Sequence, residues 1–379
     1  MSPLAIAFAG LAALAIGMGI GRFAFTPILP MMQAQSALTL AAAGWLAAAN
    51  YAGYLAGALS APLLSGAVAI RAGLTGIACF TLAMGLVDDF FGWIALRALA
   101  GVASAWVLIH VSAWCLERLA ALGRAQLNGT VYAGVGVGSM LAGALCLLLM
   151  QQHLAAREAW LALGIVSFAG TLLLWRVFRA EGKRRPISEP WHWDRESIRL
   201  VLCYAAFGFG YIIPATFIPA FARETLRDPL LYGWAWPLFG AAAALSTLAA
   251  TPLVRRFGER RVWMAGHLLM AAGVGAPLVV PGVTGIVISA LCVGATFMVI
   301  TMAGLQEGRR LGRGQAALMA AMTAGFAAGQ IAGPAFVSLL AHAGGRLEHA
   351  SIAACLLLVA SAAALLPGGR SHERAHCIP

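Results

Sequence analysis

Long apolar segments dominate the chain, and short polar segments separate them. Segments of about 20 residues are the length that the bilayer core requires of a helix. They occur in two groups, at residues 4–26, 42–64, 66–87, 91–116, 125–150 and 159–178, and at 199–221, 232–254, 262–281, 283–306, 315–341 and 349–366. This pattern predicts an all-α membrane protein with twelve transmembrane helices.

The two groups of apolar segments repeat one another. A shift of 189 residues places Gly19 on Gly208, and the segment 122–126 (LGRAQ) on 311–315 (LGRGQ). Equal halves in the same orientation are typical of transporters built from parallel repeats. We therefore expect two six-helix bundles. The boundaries we predict are 1–178 for the N-terminal bundle, 179–198 for a cytoplasmic linker, and 199–379 for the C-terminal bundle with a short cytoplasmic tail.

Composition agrees with a membrane location, since 61% of the residues are hydrophobic and only 10% are charged. Most of the 25 lysine and arginine residues fall in loops after even-numbered spans or in the tail. The positive-inside rule then predicts a multi-pass protein with both termini in the cytoplasm. The net charge of +11 reflects this topology, so we expect no nucleic-acid partner.

Several short motifs resemble the major facilitator superfamily. The segment 66–73 (GAVAIRAG) is similar to the G-x-x-x-D-R-x-G signature of that superfamily, with Ile70 in place of the acid, and Arg97 with Gly101 resembles its R-x-x-x-G element. The run from Gly19 to Met32 resembles the bacterial YbfB/YjiJ-type subgroup. The resemblance implies a transporter of the bacterial inner membrane that works by alternating access between two bundles.

Two arginines lie inside predicted spans, where a charge is costly unless it faces a partner or a watery cavity. Arg22 and Arg97 lie at similar depth and would repel each other without an anion between them. A substrate carboxylate or phosphate would satisfy both. The structural alternative pairs Arg97 with Asp88 or Asp89, and gives Arg22 the backbone carbonyls that the prolines after it set free.

Hydroxyl and amide side chains at mid-span suggest a polar central path. The alternative for any single one is a hydrogen bond between helices. The candidate substrate-binding residues are Arg22, Thr26, Asn50, Tyr51, Tyr54, Arg97, Tyr132, Tyr211 and Gln330.

Two acid–arginine pairs recur at the cytoplasmic ends of the halves, Glu117 with Arg124 and Glu307 with Arg313. They are candidate gating residues, and topology anchoring is the alternative. Glycines at GxxxG spacing in the fifth and eleventh spans, including Gly329, suggest helices that slide during transport.

The leading hypothesis is a secondary active or facilitative transporter of a small organic solute with anionic character. The alternative is a multidrug or toxic-metabolite efflux pump with a largely apolar cavity. An enzyme is not expected, because the acids stay near loops and the histidines are isolated. We expect no cofactor and no metal. The expected partners are the substrate and the lipid bilayer, and we expect the monomer to be functional. Coupling to a proton, with His110 or His267 as carrier, stays open.

Overall fold

The computed structural model describes residues 1–36, 38–178, 193–225, 233–311, 315–342 and 346–366. Within these residues the chain forms α-helices and short helical turns, and no strand. The α-helices are α1 Pro3–Leu14, α2 Phe25–Gln35, α3 Leu40–Ser60, α4 Gly66–Met84, α5 Phe90–Ala121, α6 Asn128–Gln151, α7 Ala156–Leu174, α8 Arg195–Thr225, α9 Ala235–Phe257, α10 Glu259–Val279, α11 Val283–Arg310, α12 Gln315–His342 and α13 Leu347–Ala364.

The first span is one long helical stretch with a break in the middle. It covers Pro3–Gln35, so it continues nine residues beyond the end expected from hydropathy at residue 26. Its central part, Ala15–Ile20, is a π-helix, and residues 21–24 form a turn before α2 begins. The amide of Phe23 donates to the carbonyl of Met18, five residues back, at 3.1 Å. Such π segments are frequent at functional sites.

Eleven helical stretches in the described part of the chain are long and apolar enough to cross a membrane. The remaining span of the predicted twelve is α3. Its mean hydropathy is lowered by Asn50, Tyr51 and Tyr54, which are the residues that the sequence marks as candidate site residues. Thus α3, the least apolar of the predicted spans, carries the largest number of polar candidate site residues.

Close packing through glycines builds the first bundle. A Cβ at Gly53 would lie 1.9 Å from the carbonyl oxygen of Ala98, and one at Gly101 would lie 2.1 Å from that of Asn50. Only helices without side chains at these positions can approach so closely. As a result α3 and α5 form a tight pair, and this pair carries Asn50, Tyr54 and Arg97.

The two halves meet along α6 with α9 and along α3 with α12. Gly129, Gly136 and Gly143 of α6 recur every seven residues and face α9. A Cβ at Gly136 would lie 2.3 Å from the backbone nitrogen of Ala244. Gly134, in contrast, faces α1 within its own half, 2.1 Å from the carbonyl oxygen of Leu11. The close contact between halves therefore uses glycines other than Gly134 and Gly138, which are the pair at GxxxG spacing in the fifth span.

Residues 179–192 of the predicted linker and the tail after residue 366 lie outside the described residues. The boundaries of the two bundles and the cytoplasmic location of the termini stay predictions.

Candidate functional site

Arg22 lies in the turn between the π-helix and α2, and only 3% of it is exposed. Its guanidinium carbon lies 4.0 Å from the ring centroid of Tyr54 and 5.4 Å from that of Tyr51. Phe23 and Phe326 complete the surrounding rings at 5.5 and 6.0 Å. Aromatic faces attract a cation most strongly when it is desolvated. The rings therefore stabilise the buried charge without neutralising it.

One hydrogen bond joins Arg22 to the opposite half. Its Nη2 atom donates to Oε1 of Gln330 in α12. Nε and Nη1 of Arg22, and Nε2 of Gln330, are buried and make no hydrogen bond within the described residues. No Asp or Glu of the described residues forms an ion pair with Arg22. Buried donors without acceptors are rare and costly, so this group of donors is suited to a ligand.

Arg97 donates hydrogen bonds to the backbone of the turn that carries Arg22. Its Nη2 donates to the carbonyl oxygen of Arg22 at 3.1 Å and its Nη1 to that of Gly21 at 3.4 Å. Its guanidinium carbon lies 4.9 Å from the ring centroid of Phe25. Arg97 thus occupies carbonyls that the broken helix leaves without their usual partners, and it fixes the turn that carries Arg22.

The structural alternative for these two arginines is not found as predicted, since no ion pair of the described residues joins Arg97 to Asp88 or Asp89. Asp89 accepts a hydrogen bond from the amide of Gly92 at 2.7 Å and caps α5, so this acid serves the start of its own helix. It is Arg97, and not Arg22, that binds carbonyls of the broken span. Contact of either arginine with substrate stays a prediction.

The other candidate residues surround Arg22 unevenly. Asn50 donates to the carbonyl oxygen of Arg97 at 2.9 Å, which joins α3 to α5. The hydroxyl of Tyr51 lies 3.5 Å from that of Thr216 in α8, a second polar contact between the halves. Thr26 is half-buried in the first turn of α2. Tyr132 is buried in α6, and none of the described contacts joins it to Arg22.

Tyr211 belongs to an aromatic group in the second half. Its ring stacks on Phe297 with centroids 4.4 Å apart, and Trp236 stacks on Phe239 at 4.7 Å. These four side chains are called the aromatic cup below. Phe23 of the first half inserts its ring among them, 5.6 Å from Phe297 and 6.4 Å from Trp236. Sequence analysis found Tyr211 but missed the other three, because aromatic residues in an apolar span carry no distinctive signal.

The candidate gating residues differ in what they contact. Glu307 pairs with Nε of Arg260 in α10 at 3.0 Å, and Arg260 also pairs with Glu196 in α8. These ion pairs connect helices within the C-terminal half. In the first half Arg124 is exposed, and Glu117 has a partner of its own. Arg313 lies outside the described residues, and gating by this set stays a prediction.

Each of the two histidines considered for proton coupling makes a hydrogen bond through its Nε2 atom. Nε2 of His110 lies 3.1 Å from the carbonyl oxygen of Ala61 at the end of α3. Nε2 of His267 accepts from the indole of Trp263 at 3.0 Å. The described residues contain no group of three or more metal-ligating side chains.

Comparison with known protein families decides the class of this protein. A family model described as "Uncharacterised MFS-type transporter YbfB" matches residues 14–366. The chain belongs to this family. It is thus a multi-pass membrane protein of the major facilitator superfamily (MFS), and its family and fold point to a solute transporter rather than an enzyme.

Comparison with solved structures gives the same fold. A mutant of the nucleoside transporter NupG superposes with a TM-score of 0.72 and 14% sequence identity, over 95% of this chain and 98% of that chain. At this identity the likeness concerns the fold alone. It confirms the predicted all-α architecture of two bundles, and the resemblance seen in the sequence is confirmed by the family. No curated protein matches the sequence.

Proposed function

We propose that this MFS transporter carries a small organic anion by alternating access, and that Arg22 binds the anionic group between the two halves. The observation that supports this most directly is the state of the Arg22 guanidinium. It is buried, it bonds to a neutral amide of the opposite half, and two of its nitrogens have no partner in the described residues.

The energetic argument concerns the charge itself. A cation inside the bilayer is retained when it serves function or has a counter-charge. The sequence has no Asp or Glu in the middle of any span. Aromatic faces and one amide oxygen compensate Arg22 only in part, so an anion that fits its planar fork would bind with good geometry.

Alternating access requires that the contacts between halves break on each side in turn. The bond from Arg22 to Gln330 and the contact of Tyr51 with Thr216 both cross the boundary between the halves. An anion that takes over the donors of Arg22 would replace the amide oxygen of Gln330. Binding of the ligand and release of the opposite half are then linked.

The test is a thermal-shift screen of purified protein against organic anions, organic cations and neutral solutes. It uses the wild type, Arg22→Gln, and Arg118→Gln as matched control. Arg118 also lies over a ring, 4.2 Å from the centroid of Trp114, but at the end of α5. A ligand at 100 times its Kd adds about 2.7 kcal/mol to the folded state. We expect anions to stabilise the wild type and Arg118→Gln, and not Arg22→Gln.

A second candidate function is efflux of amphipathic compounds, which the aromatic cup favours. In that case lipophilic cations or neutral drugs, and not anions, would stabilise the protein, and Arg22→Gln would respond like the wild type. That outcome would contradict the anion proposal.

A further inference from the structure

The repeat of 189 residues places different chemistry at equivalent positions of the two halves. It aligns Arg22 with Tyr211, and Asn50 with Phe239. Both Arg22 and Tyr211 are buried near the boundary between the halves. At these two positions the first half thus presents a cation and an amide, and the second half presents two ring faces. A site of this kind suits a ligand with two unlike ends.

Phe23 shows what fits the aromatic end. It belongs to the first half and directly follows Arg22, yet its ring lies among rings of the second half. It meets Phe297 edge-on at an interplanar angle of 88° and Tyr211 at 80°. Edge-to-face contact at these distances is a favoured arrangement for aromatic pairs. The four rings of the aromatic cup therefore accommodate one further planar ring, and Phe23 occupies that place here.

The polar atoms around Phe23 are mostly donors. The hydroxyl of Tyr211 and Nε1 of Trp236 are buried without a partner in the described residues, as are Nε and Nη1 of Arg22 and Nε2 of Gln330. Four of these five atoms can only donate, and the hydroxyl can donate as well. A ligand that satisfies them must bring acceptors, and a carboxylate brings acceptors alone.

We infer that the substrate is an aromatic carboxylate, whose ring replaces the ring of Phe23 in the aromatic cup and whose carboxylate binds the Arg22 guanidinium in place of the amide oxygen of Gln330. This inference rests on the proposed function and specifies the substrate class of the same site. Opening of the cup to a ligand requires the halves to separate, because the narrow cleft beside Trp236, lined by Pro27, Pro30 and Leu147, has room for only about one water molecule. Separation of the halves withdraws Phe23 and leaves the cup open to the ligand.

The experiment compares ligands that differ in one property at a time. Benzoate has a ring and a charge, cyclohexanecarboxylate has the charge without an aromatic ring, and benzamide has the ring without the charge. Uridine serves as a neutral nucleoside. Binding is measured by thermal shift, and uptake into proteoliposomes is measured with radiolabelled ligand. Because an aromatic ring gains a favourable edge-to-face contact in the cup, we expect benzoate to bind about 2- to 13-fold more tightly than cyclohexanecarboxylate. Benzamide and uridine should not compete.

Two variants separate the ring from the charge. Phe297→Leu should remove the preference for benzoate over cyclohexanecarboxylate and leave both bound. Phe23→Leu should strengthen benzoate binding several-fold, because the native ring no longer competes for the cup. Phe23→Leu also tests the cup if Phe297→Leu does not fold.

The possible failures are distinct. Equal binding of benzoate and cyclohexanecarboxylate to the wild type, unchanged in the cup variants, would overturn the aromatic part and leave an anion transporter. Binding of benzamide or uridine as tightly as benzoate would overturn the carboxylate. If Arg22→Gln binds every ligand like the wild type, the proposed function itself fails.

Discussion

The guanidinium of Arg97 donates a hydrogen bond to the backbone carbonyl of Arg22 at 3.1 Å. The two arginines of this bundle therefore lie close together with different roles, and neither role requires an anion bound between them. Arg97 bonds to the backbone of the turn, and the Arg22 side chain keeps two donors free for other partners. The repulsion between the two cations is offset by their separate aromatic faces, Phe25 for Arg97 and Tyr54 for Arg22.

Replacement of Arg97 should lower both stability and transport. In Arg97→Met the carbonyls of Gly21 and Arg22 lose buried partners, and a buried unsatisfied group costs about 1–3 kcal/mol. We expect the free energy of unfolding to fall by about that amount, and the KM for the substrate to rise because Arg22 is no longer held in place. Arg97→Lys should restore part of both losses.

The matched control for Arg97 is Arg71→Met. Arg71 also donates to a backbone carbonyl, that of Trp175 at 2.8 Å, but in a solvent-exposed position. Its loss should change the unfolding free energy by less than about 1 kcal/mol, because water replaces the bond. An Arg97→Met protein with wild-type stability and an unchanged KM would exclude the positioning role.

Gln330→Glu should stabilise the protein and prevent anion binding. The new carboxylate would lie against the Arg22 guanidinium and form a buried, charge-assisted pair. We expect a higher unfolding temperature together with loss of the anion-induced thermal shift. Gln330→Leu should lower the unfolding temperature, since it removes the hydrogen bond that joins the Arg22 side chain to the opposite half. An anion response of Gln330→Glu equal to that of the wild type would argue against a site at Arg22.

Gly136→Leu should block transport while each bundle stays folded. The added side chain would meet the backbone of Ala244 in the opposite half, so the halves could no longer close on each other along α6 and α9. Uptake into proteoliposomes and the helical circular dichroism signal measure the two properties separately. Gly44→Leu is the control, because no atom of the described residues lies within 4 Å of a Cβ at Gly44. Normal uptake by Gly136→Leu would show that this contact need not close.

Gly329 is expected to behave differently from Gly136. A Cβ there would lie 2.2 Å from the carbonyl oxygen of Ala205, inside the C-terminal half. GxxxG spacing alone predicts a sliding helix, in which Gly329→Leu stops transport in a folded protein. Because its neighbour belongs to the same bundle, we now expect loss of the folded bundle itself, seen as a loss of yield and of cooperative unfolding.

Glu307→Gln should destabilise the protein more than Arg310→Gln does. The Glu307 carboxylate is mostly buried and pairs with Arg260, whereas 63% of the Arg310 side chain is exposed. Removal of one partner of a buried ion pair costs about 3–5 kcal/mol, and an exposed ion pair contributes about 0–1 kcal/mol. Unfolding in detergent at low and high salt measures both. Equal losses in the two variants would contradict a structural role for Glu307.

The fold was predictable from the sequence because it depends on properties that recur along the chain. Span length, the internal repeat and the distribution of arginines each indicate the same twelve-helix arrangement. The break in the first span was only partly predictable. Glycines and prolines around Arg22 indicated a loosened helix, but hydropathy ended the span at residue 26, and the structure extends it to Gln35.

The surroundings of Arg22 were predictable only as a list of polar residues. Its bond to Gln330 joins positions 308 residues apart, and the contact of Phe23 with Phe297 likewise joins the two halves. Contacts of this kind depend on how the bundles pack, which no local pattern in the sequence encodes. The separate roles of Arg22 and Arg97 were open for the same reason, since a span position alone does not say whether a guanidinium meets backbone or ligand.

The break at Ala15–Ile20 has no counterpart in the repeat-related helix, since α8 runs without interruption from Arg195 to Thr225. Prolines do not account for this difference, because the first span has Pro27 and Pro30 and α8 has Pro214 and Pro219. Sharp kinks also occur at π-bulges, so the π-type bonds are what distinguishes the first span. We therefore expect the first span to bend at Ala15–Ile20 more readily than α8 bends, so that the asymmetry of the site is accompanied by an asymmetry in mechanical compliance.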